Sequence, residues 1–361
     1  MMNISSVLKL VITWFGIGNP YQKCKHYDDG TEAFRQAIRI NSDDAGAWFG
    51  LGVTYGNLNR YNDAIEAFRQ VLRINPEHTD TWYNLGVTYG ELNCYDDAIE
   101  AYRQVLRIDP EHVNAWYNLG TAYRELDRHD DAIEAYRQAL RINPEFASAW
   151  FNLGDAYREL DRYDDAIEAY RQSLRIDPED ANAWNNLGVT YSKLERYNDA
   201  IKACRQALHI DPEIASAWYN LADAYYKLNL HDDAIEAYRQ ALRINPEDAE
   251  VWNNLGVIYG KLKRYNDAIE ACRQVLRINP ELAGAWNNLG VTYGELKRDN
   301  DAIEAFRKAL HINPELAGSW FGLGLAYALS GNKSAAMEAV RELRRLDPER
   351  ADELFNSIVL R

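Results

Sequence analysis

The sequence has few cysteines and no excess of positive charge. Only 4 of its 361 residues are cysteine, and Asp plus Glu outnumber Lys plus Arg by 55 to 40, for a formal net charge of −15. An acidic chain of this kind is a poor partner for nucleic acid or an anionic membrane surface, so we expect neither. The cysteines form no disulfide framework, which favours a reducing compartment, and we expect a cytoplasmic protein.

The motifs of common catalytic sites are also missing. The chain contains no Gly-rich phosphate loop, no GxSxG, no HExxH and no CxxC pair. The sequence therefore predicts no cofactor, no metal site, no catalytic residue and no enzymatic activity. The alternative is an enzyme that uses a surface groove as its active site.

The chain does contain residues that recur with a fixed period. Its ten tryptophans are spaced by 34 residues, and they are Trp14, Trp48, Trp82, Trp116, Trp150, Trp184, Trp218, Trp252, Trp286 and Trp320. Nine of the ten prolines follow the same step, each 28 residues after a tryptophan. A fixed period of this length is typical of a solenoid.

One copy, residues 48–76, shows what the unit is. Two apolar sets recur at helical spacing on either side of a short polar turn, which predicts a helix hairpin. Gly52 and Ala64 are small, as two closely approaching helices require. Asn75 is expected to cap the next helix, with Pro76 in its first turn. A tryptophan such as Trp184 should be buried between its own hairpin and the next.

The pattern W-x2-L-G-x2-Y, followed by Ala, an aromatic residue and Pro, resembles the tetratricopeptide repeat (TPR). It is closest in Trp116, Leu119, Gly120, Tyr123, Ala132, Tyr136 and Pro144. The resemblance implies an all-α, right-handed superhelical solenoid of about ten 34-residue helix-turn-helix units. After a tail (1–10) and a degenerate first unit (11–44), nine units follow: 45–78, 79–112, 113–146, 147–180, 181–214, 215–248, 249–282, 283–316 and 317–350. Residues 351–361 should form a capping helix.

The N-terminus is ambiguous. Residues 7–18 are apolar enough to suggest a signal peptide, but Lys9 lies inside the run and no clear cleavage site follows. Because Trp14 keeps the repeat phase, we interpret residues 11–44 as a worn repeat whose first helix is broken at Pro20.

Each predicted second helix begins with acids and ends with arginines. This order complements the helix dipole, and Glu100 with Arg103 should form an ion pair. Pairs such as Asp96-Asp97 could bind a cation. They recur at several second-helix starts, so capping explains them better, and the charges are mostly a solvated outer face.

The side of the first helix that the core does not use carries the candidate site. In TPR arrays this face lines the concave surface and binds an extended peptide or a partner helix. Two residues after successive tryptophans stands an asparagine row: Asn84, Asn118, Asn152, Asn186, Asn220, Asn254 and Asn288. Beside it lie Tyr83, Tyr117, Phe151 and Tyr219.

The asparagine row resembles the ladder in the TPR arm of the O-GlcNAc transferases, where it holds substrate peptide mainly through main-chain bonds. Their catalytic domain has no counterpart here, so only the logic of the binding arm carries over. An Asn carboxamide offers two donors and an acceptor to a passing backbone. The alternative is that the row was inherited from a founding repeat and bonds the neighbouring helix.

Departures from the repeat mark where a ligand could be selected. They are Arg124, Asp155, Arg158, Asp223 and Tyr226. The alternative is an exposed ion pair of Asp155 with an arginine, which would contribute under about 1 kcal/mol. We therefore expect a scaffold for a protein or peptide partner. Self-association into a homo-oligomer, or service as the binding subunit of a separately encoded transferase, are the alternatives.

Overall fold

The structure, a computed structural model, describes residues 27–359, and these residues form twenty α-helices and no strand. The chain divides into two compact units, Met1–Thr190 (unit 1) and Tyr191–Arg361 (unit 2). The described helices of unit 1 are α1 Tyr27–Ile40, α2 Ala45–Asn57, α3 Tyr61–Ile74, α4 Thr79–Glu91, α5 Tyr95–Ile108, α6 Val113–Glu125, α7 His129–Ile142, α8 Ala147–Glu159 and α9 Tyr163–Ile176.

Helix α10, Ala181–Lys193, contains the division between the two units. The helices of unit 2 are α11 Tyr197–Ile210, α12 Ala215–Lys227, α13 His231–Ile244, α14 Ala249–Lys261, α15 Tyr265–Ile278, α16 Ala283–Glu295, α17 Asp299–Ile312, α18 Ala317–Leu329, α19 Lys333–Leu346 and α20 Pro348–Val359. Each hairpin pairs an even-numbered first helix with the odd-numbered second helix that follows it. The described chain is thus an all-α solenoid of helix hairpins, as predicted.

Close approach of the two helices depends on a missing side chain. A Cβ added to Gly52 would lie 2.5 Å from the ring of Phe68, which is itself fully buried. Ala64, at the start of the second helix, is completely inaccessible. The expectation that small residues allow the two helices of a hairpin to approach closely is confirmed.

The turn within each hairpin uses a left-handed residue that is rarely glycine. Asn59 has a φ of 57°, and Lys263, at the same place in another repeat, has the same value. Among the hairpins that the structure describes, only the last uses glycine, Gly331, with a φ of 85°. Because a side chain disfavours this conformation, the contacts of the hairpin hold these turns in place.

The connection between hairpins differs from the prediction. Helix α4 begins at Thr79, and its N-cap is His78, whose Nδ1 accepts the backbone N–H of Thr81 at 3.3 Å. The side chain of Asn75 instead accepts the N–H of Glu77 at 3.2 Å and closes a turn. The expected Asn75 cap and first-turn Pro76 were wrong, because this turn delays the helix start.

The nine tryptophans from Trp48 to Trp320 are only partly buried, so the prediction for Trp184 was wrong as well. The Trp184 indole N–H donates to the carbonyl of Pro178 at 2.9 Å, and Trp116 bonds Pro110 in the same way. The carbonyl lies at the surface, which keeps the polar edge of the indole there. This bond ties each first helix to the loop before it.

Aspartates at the second-helix starts do not cap them. Arg128 occupies the N-cap of α7 without a side-chain cap bond, and its Nε donates to Asp131 Oδ2 at 2.8 Å. The guanidinium of Arg128 also lies 4.6 Å from the centre of the Tyr123 ring. The aspartates therefore hold arginines over tyrosines, and the capping interpretation was wrong.

The expected pair of Glu100 with Arg103 is replaced by longer-range contacts. Arg103 Nη2 donates to the hydroxyl of Tyr123 in the next repeat at 2.9 Å, and Glu100 accepts from Gln104 at 2.8 Å. The arginine thus joins successive repeats, a role that a single hairpin could not show.

At the C-terminal end, α20 begins at Pro348, three residues before the predicted start at residue 351. Its buried side chains Ala351, Leu354 and Ile358 pack with residues of α18 and α19. Residues 1–26, which include the apolar run 7–18, Pro20 and the first part (11–26) of the worn repeat, lie outside the described residues, as do 360–361. None of the described helices has the length and apolar character needed to cross a membrane.

Candidate functional site

The first helices of successive hairpins touch one another and form a shared face. In unit 1, α2 contacts α4, α4 contacts α6 and α6 contacts α8. In unit 2, α14 contacts α16 and α16 contacts α18. We call the side chains one, two, five, eight and nine residues after each tryptophan the inner face, and this face holds all the predicted site residues.

In unit 1 the asparagine row joins neighbouring repeats. Asn118 Nδ2 donates to the hydroxyl of Tyr83 at 3.2 Å, and Asn152 Nδ2 donates to that of Tyr117 at 2.9 Å. Each bond reaches the preceding repeat, and Asn152 is only 8% exposed. The carboxamides are therefore fixed by bonds that a buried polar group requires.

Unit 2 repeats this contact with variations. Asn254 Nδ2 lies 3.4 Å from the hydroxyl of Tyr219 and 3.2 Å from that of Tyr238. Asn288 Nδ2 donates instead to the carboxamide oxygen of Asn253, at 3.3 Å. At this pair the amide of Asn253 takes the place of the phenol that other repeats supply.

The remaining asparagines have other surroundings. Asn84 donates to the carbonyl of Asp80 at 2.7 Å, Asn186 to Asp155 Oδ1 at 3.0 Å, and Asn220 is partly exposed on α12. The contacts of Asn118, Asn152 and Asn254 are those of the alternative in which the row bonds neighbouring helices. Peptide binding by the same row stays a prediction.

The aromatic side chains beside the row are held by other rings. The Tyr117 ring lies 5.9 Å from that of Tyr136 on the second helix and 4.8 Å from that of Phe146. The same pairing joins Tyr83 with Tyr102, Phe151 with Tyr170, and Tyr219 with Tyr238. Burial is the main cause that raises the pKa of Tyr136 to about 12, so its phenol stays protonated and can donate.

Three predicted residues meet at one carboxylate in unit 1. Asp155 Oδ1 accepts from the Tyr170 hydroxyl at 2.5 Å and from Asn186, and Arg158 Nη2 lies 3.6 Å away. The side chains of Asp155 and Arg158 are 16% and 25% exposed. Burial, and then the Asp155 charge, raise the pKa of Tyr170. The ion pair considered from the sequence exists, but it is more buried than expected.

Arg124 belongs to the same region. Its Nη1 donates to Asn152 Oδ1 at 3.2 Å and its Nη2 to Glu125 Oε1 at 2.8 Å. Burial opposes the charge of Arg124, yet its hydrogen bond to Glu125 and nearby negative charges leave its pKa raised. Arg124, Asn152 and Tyr117 thus form a chain of bonds across two repeats.

Asp223 and Tyr226 lie on α12 in unit 2. Burial raises the pKa of Asp223, while Lys227 acts in the opposite direction. The Tyr226 hydroxyl accepts from Lys261 Nζ of the next repeat at 2.5 Å. Sequence reasoning assigned both residues to the inner face but did not identify Lys261 as a partner of Tyr226.

The sequence reasoning missed a column of charge. The ninth residue after the tryptophan is glutamate in three successive repeats of unit 1 and lysine in three of unit 2. These residues are Glu91, Glu125 and Glu159, and then Lys193, Lys227 and Lys261. Aligning the copies by their tryptophans and comparing this column would have shown the change of sign.

Open clefts also lie between hairpins, away from the inner face. One, of about 360 Å³, is lined by Trp116 and Tyr123, with Arg103 and Asp131 at its edge. Its arginine and aspartate already bond Tyr123 and Arg128. Within residues 27–359, no three His, Cys, Asp or Glu side chains are grouped to hold a metal ion.

Family models match most of the chain. Two models described as tetratricopeptide repeat match residues 185–249, 219–283 and 300–351, and residues 45–78 and 283–316, respectively. A model described as the cilia and flagella-associated protein 70 C-terminal domain matches residues 76–215. No curated protein matches the chain.

Several solved structures are similar to parts of this chain. The C-terminal part of a TPR repeat-containing protein from Cytophaga hutchinsonii is 18% identical, with a TM-score of 0.59 over 67% of this chain and 99% of that one. MamA is 30% identical over 46% of this chain and 96% of its own, with a TM-score of 0.45. YrrB, described as a TPR protein with an unusual peptide-binding site, is 25% identical over 52% and 96%, with a TM-score of 0.47.

Proposed function

Because the chain belongs to the tetratricopeptide-repeat family, we propose that it is a scaffold whose inner face binds an extended peptide or a partner helix. The observation that supports this proposal most is the polar chain of Tyr83–Asn118 and Tyr117–Asn152–Arg124 bonds. These bonds fix amide, phenol and guanidinium groups along successive first helices. Side chains fixed before binding lose little conformational entropy when a ligand arrives.

The arginines of unit 1 are the groups best placed to select a ligand. The side chains of Arg124 and Arg158 are 29% and 25% exposed, so each guanidinium can be reached while part of it is fixed to the fold. Planar guanidinium groups bind carboxylates and backbone carbonyls in defined directions. We propose that the asparagine row positions this face and that the arginines choose the ligand, without catalysis by the chain itself.

A peptide selected from a displayed random library against the full chain provides the probe. Its affinity, measured by fluorescence anisotropy, should fall about tenfold or more in the Arg124→Glu/Arg158→Glu variant, because partly buried charges are reversed at the contact. The matched control is Arg141→Glu/Arg175→Glu, which reverses the same number of charges on exposed arginines of second helices.

Equal loss in the two variants would contradict a site on the inner face. Circular dichroism of both variants should match the wild type, since each keeps the buried core. A selected peptide that binds both variants as well as the wild type would place the contact elsewhere. A chain that yields no peptide but forms dimers in light scattering would favour the self-association alternative.

A further inference from the structure

The charges in the ninth column differ in how well they are already paired. In unit 1, Glu125 accepts from Arg124 at 2.8 Å and Glu159 from Arg158 at 3.1 Å. Glu91 lies 3.5 Å from the hydroxyl of Tyr61. Most of the negative charge of this column is therefore compensated by neighbours within the unit.

The lysines of unit 2 are freer. Lys193 and Lys227 have no hydrogen bond or ion pair to any residue in 27–359, and both are exposed. Lys261 Nζ donates to the hydroxyl of Tyr226 at 2.5 Å, and the charge of Lys227 acts on Asp223, four residues earlier on the same helix. Three successive lysines thus place positive charge on this face of a chain whose net charge is −15, and Asp223 offsets part of it at Lys227.

An open apolar surface lies beside the last of these lysines and continues into the next repeat, where Glu295 takes the place of the lysine. Val257 and Val291, five residues after their tryptophans, are 38% and 48% exposed. A Cβ added to Gly260 or Gly294 would have no atom within 4 Å. Since Val257 and Lys261 are four residues apart on α14, the apolar surface and the charge share one side of the helix.

From these observations we propose that unit 2 binds an acidic, partly apolar segment of a partner protein on its inner face. Carboxylates of the segment pair with Lys193, Lys227 and Lys261, while its apolar side chains cover Val257 and Val291. This inference rests on the proposed function of the inner face and adds the chemistry of the partner. Unit 1 is not the corresponding site for a basic segment, because its glutamates already have partners.

The test uses the full chain and three synthetic peptides of equal length. They share leucines at the same positions and carry Glu, Gln or Lys between them. Fluorescence anisotropy at low salt should show that the Glu peptide binds about tenfold more tightly than the Gln peptide, and the Lys peptide more weakly than either. Added salt should remove most of this preference, because exposed charges are screened.

Matched variants distinguish the effect of these three lysines from the effect of the net charge of the chain. Lys193→Glu/Lys227→Glu/Lys261→Glu introduces the residue that unit 1 carries at the same position, so folding should persist. The control, Lys202→Glu/Lys263→Glu/Lys297→Glu, changes the net charge equally. It places Glu where other repeats carry Glu134 or Glu195. The preference for the Glu peptide should disappear in the first variant and persist in the second.

Each other outcome has a distinct meaning. Equal loss of the preference in both triple variants would overturn the inference, since net charge alone would explain it. Equal binding of the Glu and Gln peptides would overturn the inference and leave the proposed function standing. Failure of all three peptides, while a library-selected peptide still binds, would overturn the inference alone, and failure of every peptide would contradict both. Tighter binding of a single-stranded oligonucleotide of equal charge would replace an acidic protein segment with nucleic acid.

Discussion

Hairpins 113–146 and 249–282 have the same helix-turn-helix arrangement but differ in the side chains that pack against the glycine of the first helix. In the first, the Tyr136 ring lies 2.7 Å from where a Cβ of Gly120 would be, and the ring of Tyr117 packs on it. In the second, Cys272 lies over Gly256, with its sulfur at 3.7 Å from the same point. Asn253 there takes the place of Tyr117.

The comparison shows what a ring on the second helix can add to the inner face. In hairpin 113–146 the buried ring of Tyr136 lets Tyr117 pack on it, and the Tyr117 hydroxyl bonds Asn152. The ring alone is not sufficient, since Phe306 is accompanied by Asn287 in repeat 283–316. Where Cys272 replaces the ring, the inner face consists of amides and exposed valine. One fold therefore carries two kinds of binding surface.

The largest expected difference between the two hairpins is in the free energy of unfolding that Tyr136 and Cys272 contribute, and equal contributions would contradict the comparison. Tyr136→Ala should cost about 3–5 kcal/mol, because it empties the space between the helices. Cys272→Ala removes one small buried atom and should cost about 1 kcal/mol. Native-state hydrogen exchange resolves the loss by repeat, and we expect lost protection in α6–α9.

The control for this prediction is Tyr136→Phe. Phe68 and Phe306 occupy the same place in other repeats, so the ring is retained and only the hydroxyl is lost. This variant should cost about 1 kcal/mol or less. Loss of protection spread evenly over all hairpins in Tyr136→Ala would contradict coupling between nearest neighbours in this solenoid.

Alanine substitutions at Gly120 and Gly256 test the same difference with smaller expected changes in the free energy of unfolding. Gly256→Ala should stabilise by about 0.5–1 kcal/mol, because the new Cβ meets Ala271 at an ordinary 3.5 Å and alanine favours the helix. Gly120→Ala should instead destabilise by about 1–3 kcal/mol through crowding of Tyr136. Because Ala222 lies at this position opposite Tyr238, the lower part of that range is expected. Urea unfolding of the pair measures the difference, and equal shifts would refute it.

The third test uses the unaltered protein and measures how well the buried cysteines are shielded from a reagent in solvent. Burial raises the pKa of the Cys272 thiol to about 11, and that of Cys204 to about 12. Since the thiolate is the reactive form, iodoacetamide at mildly alkaline pH should spare both while it labels the exposed Cys94. Peptide mapping by mass spectrometry gives the rates. Labelling of Cys272 as fast as Cys94 would mean that its repeat opens to solvent.

The sequence predicts more of the fold than of the site. The 34-residue period and the small residues Gly52 and Ala64 sufficed for the helix hairpin, because these signals act within one repeat. The bond of Asn152 to Tyr117 and that of Arg103 to Tyr123 cross between repeats. Such bonds depend on how one hairpin turns against the next, which no single copy specifies.

The predicted start of the first helix was wrong for a local reason. The side chain of Asn75 could cap a helix or close a turn, and both use the same oxygen. Only the placement of Pro76, whose carbonyl accepts the indole N–H of Trp82 at 2.8 Å, favours the turn. A bond to that backbone carbonyl leaves no sign in the residue types.

The central claim is that the ligand lies on the first helices, and photo-crosslinking tests it most directly. The library-selected peptide, carrying a benzophenone side chain, is irradiated with the full chain, and the attachment sites are mapped by mass spectrometry. The account predicts crosslinks on first helices such as α6 and α8, near Arg124 and Arg158. Attachment to second helices or to the clefts around Trp116 would contradict it.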